Sequence, residues 1–350
     1  MWYIGIDEAG YGPILGPFVM TAVALSSSRS WRADEIWNHL PQVSARWPKL
    51  GQRGTADNPP AFCITDSKQI HRGHHAFADL EYHTLPVLWA WLGKSRRCGP
   101  WLRRISVATL RGLQVPCYDI RHRRLPMAHD PSVIAQRAVL WREMLSAAGL
   151  TLLRPRVFIM LPEAINEAIA QHGTKAVLPL DGLRHLLPAL LREISTSGVT
   201  LQFTSLTNTD DPVHCEAICD RLGGRLHYAA VLTGALDGWQ LQTFHESAAR
   251  CEYTLTSRNG TSLDGKSRLK LRLVIMPRAE CRAFLVALAS MISKYVREIF
   301  MLHWNDYWRR HVPDLRPTSG YPGDAPRFLH SIQSAYLRLG FQEAWLRRCR

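Results

Sequence analysis

The 350-residue chain has no apolar run approaching the ~18 residues of a membrane-spanning helix, no Cys-x-x-Cys pair, no internal repeat and no low-complexity linker. These absences argue against a spanning helix and a structural zinc site, and they mark no boundary at which to divide the chain. Acidic residues are few beside basic ones: 29 Asp plus Glu face 43 Lys plus Arg, for a formal charge of +14 and a pI near 9.7. The surplus implies a polyanionic partner, and without a Lys-rich amphipathic anchor nucleic acid fits better than an anionic membrane surface. The eight cysteines are scattered with no Cys/His ladder, so reduced, mostly packed thiols are expected. His71, His74 and His75 lie in a polar, Gly-containing loop without cysteine partners and read as a solvated cluster. No charged leader or cleavage site precedes the first strand, so an intracellular, cytoplasmic protein is expected. With 46% hydrophobic residues the chain can bury a full core, as one large domain with insertions or as two domains.

The most informative stretch is Met1 to Pro17. Trp2, Tyr3, Ile4 and Ile6 favour a pleated strand, expected to stop at Asp7-Glu8, where Gly10 and Gly12 begin a turn. Neighbouring strand residues point to opposite faces, so both carboxylates serve one site only if the chain already turns at Glu8. The glycines let backbone N–H groups approach a ligand closely. Taken alone, an Asp-Glu pair before a glycine turn reads as ordinary surface. The whole string Asp-Glu-Ala-Gly-x-Gly-Pro-x-x-Gly-Pro, from Asp7 to Pro17, closely resembles the opening of type 2 ribonuclease H, the ribonuclease HII family. That resemblance implies an enzyme that cuts RNA joined to or paired with DNA, using divalent metal held by four acidic residues.

Further along, Phe18 to Leu25 suits a second, buried strand. Asp66-Ser67-Lys68 resembles an Asp-Ser-Lys element of the same family; Asp and Ser suit a helix cap equally well, and the resemblance makes Lys68 a phosphate or active-site contact. From Lys94 to Arg124 nine Lys or Arg accompany one acid, Asp119, with Trp101 and Tyr118 interspersed. Either a solvated charged face or nucleic-acid contact explains this, and aromatics among arginines suit backbone tracking with base stacking. Asp130-Pro131 opens a helix that Gly149 closes, Arg156 to Leu161 is a strand, and a helix from Pro162 ends near Gly173. Asp181 is expected as the N-cap of a further helix carrying Leu183, Leu186, Leu187, Leu190 and Leu191.

The family requires a third Asp at a later strand end, and Asp181 and Asp220 compete for it. Pro179 disfavours a central strand before Asp181. Asp220 ends an uninterrupted run from Val213, and a Gly-Gly turn, a helical Tyr228 to Leu236 segment and a strand at Trp239 to Phe244 follow. Carboxylates at the C-terminal ends of strands are where α/β sheets keep their sites, so Asp220 is preferred. Between Ala279 and Glu298 the residues Ala289-Ser290, Lys294 and Arg297 resemble the family's pattern around its fourth acid, which puts Glu280 in that position where the family has Asp. The extra methylene shifts that carboxylate by more than ~1 Å, while two-metal catalysis needs ions ~4 Å apart. Read as one helix from Glu280, the segment would put Glu298 ~27 Å away, leaving Glu280 as the metal ligand. Hairpin signals at Asn259-Gly260 and Asp264-Gly265 precede an alternating strand through Leu269, Leu271, Leu273 and Ile275, and Gly320-Tyr321-Pro322 resembles the family's Gly-Tyr loop.

The resemblance therefore implies an α/β, ribonuclease H-like mixed β-sheet flanked by helices. A catalytic domain would span residues 1–302, with insertions about 70–205 and 247–276, and a helical extension would follow at 303–350. Catalytic and metal-ligating roles fall to Asp7, Glu8, Asp220 and Glu280, with Mg²⁺ or Mn²⁺ as cofactor. Substrate contacts fall to Gly10, Tyr11, Gly12, Lys68, Ser290, Lys294 and Tyr321. The substrate would be an RNA–DNA hybrid or ribonucleotide-containing duplex DNA, cut to 5′-phosphate and 3′-hydroxyl ends, with no obligate protein partner. A hybrid-binding protein impaired by Glu280 and a DNA nuclease on the same fold are the alternatives.

Overall fold

In the computed structural model the described residues are 1–27, 29, 31, 35–47, 61–196, 213–258 and 269–349. The expected hairpin turns at Asn259-Gly260 and Asp264-Gly265 lie outside them. The chain opens with strands β1 (Trp2–Ala9) and β2 (Phe18–Ser27), the short β3 (Val43–Ser44) and β4 (Phe62–Cys63), and helices α1 (Ser67–Ile70), α2 (Ala76–Leu92), α3 (Cys98–Ile105) and α4 (Pro131–Ala147). Strands β5 (Leu150–Leu152) and β6 (Arg156–Met160) precede helices α5 (Pro162–His172) and α6 (Val177–Thr196). Then come β7 (Val213–Asp220), α7 (Ala229–Ala235), β8 (Trp239–Glu246), β9 (Cys251–Ser257) and β10 (Leu269–Met276). Helices α8 (Phe284–Arg309), α9 (Ala325–Arg338) and α10 (Glu343–Leu346) complete the order.

The described residues build an eight-stranded mixed sheet in the order β5-β2-β1-β7-β10-β9-β8, with β6 sharing the outer edge of β2. β1 and β2 run antiparallel, β1, β7 and β10 run parallel, and β9 and β8 continue antiparallel. This is the mixed, helix-flanked sheet expected from the sequence. Every residue of β2 is buried, because helices cover both faces of the sheet there and no side chain has a solvent side to occupy. The period-2 alternation of β1 divides its residues between two cores. Tyr3 packs with α2, α4 and α8 on one face, whereas Trp2, Ile4 and Ile6 pack with α6 and α7 on the other. Of the residues expected as insertions, 247–276 include β9 and β10, and 70–205 include β5, β6 and α2 to α6; position 302 lies inside α8.

Two local expectations are corrected. β1 does not stop at Asp7-Glu8, because pairing with β2 continues through Glu8↔Met20 and Ala9↔Val19. Asp181 does not cap a helix: α6 begins at Val177 and Asp181 lies inside it, bonded to Arg184 at 3.1 Å. Pro179 is tolerated in the first turn, where its missing N–H costs no intrahelical bond.

β1 and α8 approach each other closely. A Cβ on Gly5 would lie 2.1 Å from the carbonyl carbon of Leu285, so strand and helix meet backbone to backbone. Ala283, Ala287 and Ala289, all buried, keep the start of α8 thin against the sheet. Gly5→Ala is expected to destabilise the protein by about 3 kcal/mol, as overpacking with no flexible neighbour to yield, read as a lowered denaturant midpoint with unchanged slope.

Candidate active site

Because β1, β7 and β10 are parallel, their C-terminal ends open on one side of the sheet, where α/β proteins keep their sites. The pairing of β1 with β7 runs to Ile6↔Cys219, and that of β7 with β10 to Asp220↔Met276, so Asp7 and Asp220 follow one residue beyond a shared register. Asp7 shares the α8 face with Tyr3 and Gly5. Its backbone carbonyl accepts the Ser293 hydroxyl at 3.0 Å, and Ser293 also reaches the Thr21 hydroxyl at 2.7 Å. Asp220 is the last residue of β7, and its Oδ1 accepts the Ala279 N–H at 3.0 Å.

Glu280 does not begin the long helix. It sits on a separate 3-10 turn, Ala279–Cys281, after Arg278 in a left-handed conformation (φ 57°), and α8 starts only at Phe284. That turn brings the end of β10 back over Asp220, which a continuous helix from Glu280 would not. The expected common helical face from Glu280 to Glu298 is therefore absent. Glu298 belongs to a separate buried group, ion-paired with Lys294 at 2.8 Å and Arg297 at 2.9 Å, with the His71 imidazole at 3.7 Å.

The four carboxylates share one electrostatic neighbourhood. Burial, then Glu8 and Asp220, hold the Asp7 carboxyl well above the usual range, while the Ser290 hydroxyl pulls it down. Burial and Asp220 push Glu8 up to about 7. Burial and Asp220 also raise Glu280. Burial lowers the Lys68 ammonium pKa, but Asp66, Glu280, Asp7 and Asp220 outweigh it and hold that pKa above the usual value. Among the described residues no three acidic, imidazole or thiol groups lie within one ion's reach as their side chains stand. Mutual repulsion turns oxygens to backbone donors instead, Asp7 Oδ1 to the Glu8 N–H at 2.8 Å and Asp220 to Ala279. Glu8 Oε2 and Glu280 Oε2 remain buried with no hydrogen-bond partner. Buried, unpaired carboxylate oxygens of raised pKa are a donor set that fits a hard divalent cation.

Gly10 has φ +90°, and a Cβ there would lie 2.5 Å from the Pro17 carbonyl oxygen. The Gly320 carbonyl accepts the Ile14 N–H at 2.9 Å and the Leu15 N–H at 3.2 Å, which seats the Tyr321 segment beside the glycine loop. Tyr11 reaches toward Gly223, just after Asp220, and Lys175 lies 5.0 Å over its ring. Asp66 caps α1 by accepting the Lys68 N–H at 2.9 Å, and Ser67 bonds Ser290 at 3.0 Å, which ties α1 to the Asp7 side of the cluster. Gly10, Tyr11, Gly12, Lys68, Ser290 and Tyr321 are thus brought around the carboxylates. Lys294 pairs with Glu298 at 2.8 Å. Sequence reasoning named Ser67 and Arg297 only as members of family-like patterns and gave them no role, and it missed Ser293 and the buried Arg348, which mark no pattern of their own.

The basic stretch forms a ribbon in which Arg97 pairs with Arg124, the Cys98 N–H reaches the Arg123 carbonyl and the Leu125 N–H reaches the Arg96 carbonyl, both at 3.0 Å. Arg121 pairs with Asp119 and Arg123 with Asp306, whereas Arg96, Arg97 and Arg124 stand exposed. Trp101 and Tyr118 are not available for base stacking as expected. Both are buried, Tyr118 against Trp304 at 5.1 Å, because they anchor α3 and its following turn to α8.

A carboxyl whose pKa is raised on folding loses stability as pH climbs from its unfolded value, near 4.5, through its folded value, about 7 for Glu8. In metal-free protein Glu8→Gln should raise the melting temperature above pH 7, and the gain should vanish toward pH 5; Mn²⁺ should raise the wild-type midpoint more than the variant's.

No family model matches the chain, and no curated protein matches it. Among solved structures it is similar to the RNase HII of Archaeoglobus fulgidus, determined in complex with PCNA, at 15% identity and a TM-score of 0.41, over 100% of this chain and 95% of that one. It is also similar to ribonuclease H2 of Pyrococcus horikoshii OT3, at 14% identity and a TM-score of 0.39, over 99% and 92% of the two chains. The third likeness is to Bst-RNase HIII in complex with Mn²⁺, at 13% identity and a TM-score of 0.36, over 99% of this chain and 66% of that one.

Proposed function

We propose that this chain is a metal-dependent endoribonuclease that hydrolyses RNA in RNA–DNA hybrids, or ribonucleotides embedded in DNA, leaving 5′-phosphate and 3′-hydroxyl ends. The observation that carries the reading is the gathering of Asp7, Glu8, Asp220 and Glu280 where parallel strands end, beside a loop whose sequence from Asp7 to Pro17 resembles type 2 ribonuclease H. Those four carboxylates would hold Mg²⁺ or Mn²⁺, ions that favour oxygen ligands. Bound there, the metal supplies an activated water and charge stabilisation for a leaving 3′-oxygen.

The chain's own residues supply the rest. Ser290 holds Asp7 through a hydrogen bond that favours its ionised form. Lys68 stays charged beside the cluster and attracts the phosphate to be cut. Backbone groups of Gly10 and Gly12 meet a ribonucleotide's 2′-hydroxyl, with Tyr11 and Tyr321 against sugar or base. The exposed Arg96, Arg97 and Arg124 contact backbone phosphates away from the cut.

One observation favours a second reading, a hybrid-binding protein without turnover: Glu280 extends a longer side chain from its own 3-10 turn. Cleavage of a DNA duplex with one embedded ribonucleotide, in Mg²⁺ and in Mn²⁺, separates the two. Asp220→Asn should abolish that cleavage and Asp181→Asn should leave it intact; intact cleavage by Asp220→Asn overturns the site. Replacing Arg96, Arg97 and Arg124 should weaken hybrid binding and reduce its salt slope by ~0.7 to 0.9 for each phosphate that is no longer neutralised. An unchanged slope returns the ribbon to ordinary surface.

A further inference from the structure

The loop from Gly10 to Pro17 is held from beneath by a residue at the far end of the chain. Arg348 is 1% exposed, and its guanidinium has no carboxylate partner among the described residues. Two of its nitrogens donate to three carbonyls of one loop, Nε to Gly16 at 2.7 Å, and Nη1 to Gly10 at 2.5 Å and Pro13 at 3.1 Å, while Nη2 is buried without a partner. Its own N–H donates to the Ile14 carbonyl at 2.9 Å, and Leu15 forms a bridge with Arg347. The segment carrying Arg348 is fastened on its other side by Asn166 of α5. That side chain donates to the carbonyls of Ala344 at 3.0 Å and Arg347 at 2.8 Å, and accepts the Cys349 N–H at 2.6 Å.

Burying an unpaired guanidinium is costly, and an apolar side chain would fill the same space more cheaply. Burial and the neighbouring Arg297 lower its pKa to about 9, yet a guanidinium keeps its proton at neutral pH. What the charge provides is direction, since three carbonyl oxygens are drawn to one point. In a trans peptide the C=O and the following N–H point oppositely. With the Gly10 carbonyl turned inward to Arg348, the Tyr11 N–H is turned outward, and among the described residues no acceptor takes it.

We propose that Arg348 is a positioning residue: it sets the conformation of the Gly10–Gly16 loop and presents the Tyr11 N–H to the ligand. The role of that N–H in reading a 2′-hydroxyl rests on the function proposed above; the loop's dependence on Arg348 does not. The test uses the full chain with Arg348→Met, Arg348→Lys and, as a control, Arg347→Met. Hydrogen exchange of peptides covering residues 10–16 is measured beside kcat and KM on single-ribonucleotide and all-DNA duplexes. Arg348→Met should lose protection in the loop and lower kcat/KM on the ribonucleotide duplex by about tenfold or more, Arg348→Lys should recover part of both, and Arg347→Met should change neither. Wild-type protection of the loop in Arg348→Met, or reduced protection with unchanged kcat and KM, overturns the proposal. If Arg348→Met does not fold, Asn166→Ala, which loosens the same segment from outside, must show the reduced protection or the proposal falls. Wild-type protein that cleaves no nucleic acid refutes the proposed function, while hydrogen exchange still decides the loop.

Discussion

Backbone contact between Gly5 and Leu285 sets the depth at which α8 lies on the sheet, and the candidate site takes its dimensions from that contact. With no side chain between them, strand and helix are close enough for Ser293 to bond the Asp7 carbonyl and Thr21 together, and for Ser290 to join Ser67. A wider gap would leave these hydroxyls without partners and Asp7 without its support. The same depth buries Tyr295, whose hydroxyl reaches the wholly buried Glu81 at 2.8 Å, while Glu81 also accepts the N–H groups of Met127 and Ala128. The helix is thereby tied to the α2 side of the fold as well as to the sheet.

Against that rigid seat stands a strong repulsion. Burial, and then the neighbouring carboxylates, hold the pKa values of Asp7, Glu8 and Glu280 above the usual range, and nothing in the apolar core relieves them. Relief comes from separate directions: backbone N–H groups, the Lys68 ammonium and the Ser290 hydroxyl. The positive groups under the glycine loop behave differently. Arg297 is neutralised by Glu298 and donates to the Ser319 carbonyl at 2.7 Å, whereas the Arg348 guanidinium, among the described residues, donates to loop carbonyls alone.

Much of this was legible in the sequence, for reasons that are local. A β-branched and aromatic run marked β1, a small-and-apolar run marked β2, an uninterrupted run from Val213 marked β7, Asp130-Pro131 marked the start of α4, and Gly173 marked the end of α5 in a left-handed conformation. The preference for Asp220 over Asp181 rested on Pro179, which suits a helix's first turn and not a central strand. The misreadings were also local. β1 continued because β2 pairs with it, and Glu280 left the helix because Arg278 turns the chain before α8 begins.

By itself the sequence determined the strand and helix types, the glycine loop and the acidic residues at strand ends, because each depends on propensity and spacing within a few residues. The tertiary structure alone decided that Trp101 and Tyr118 face the core, that Lys294 serves Glu298, and that Arg348 grips Gly10 from 338 residues away. Those outcomes depend on which surfaces pack together. A single arginine near a chain end carries no periodicity, and only the fold brings the three carbonyls to it.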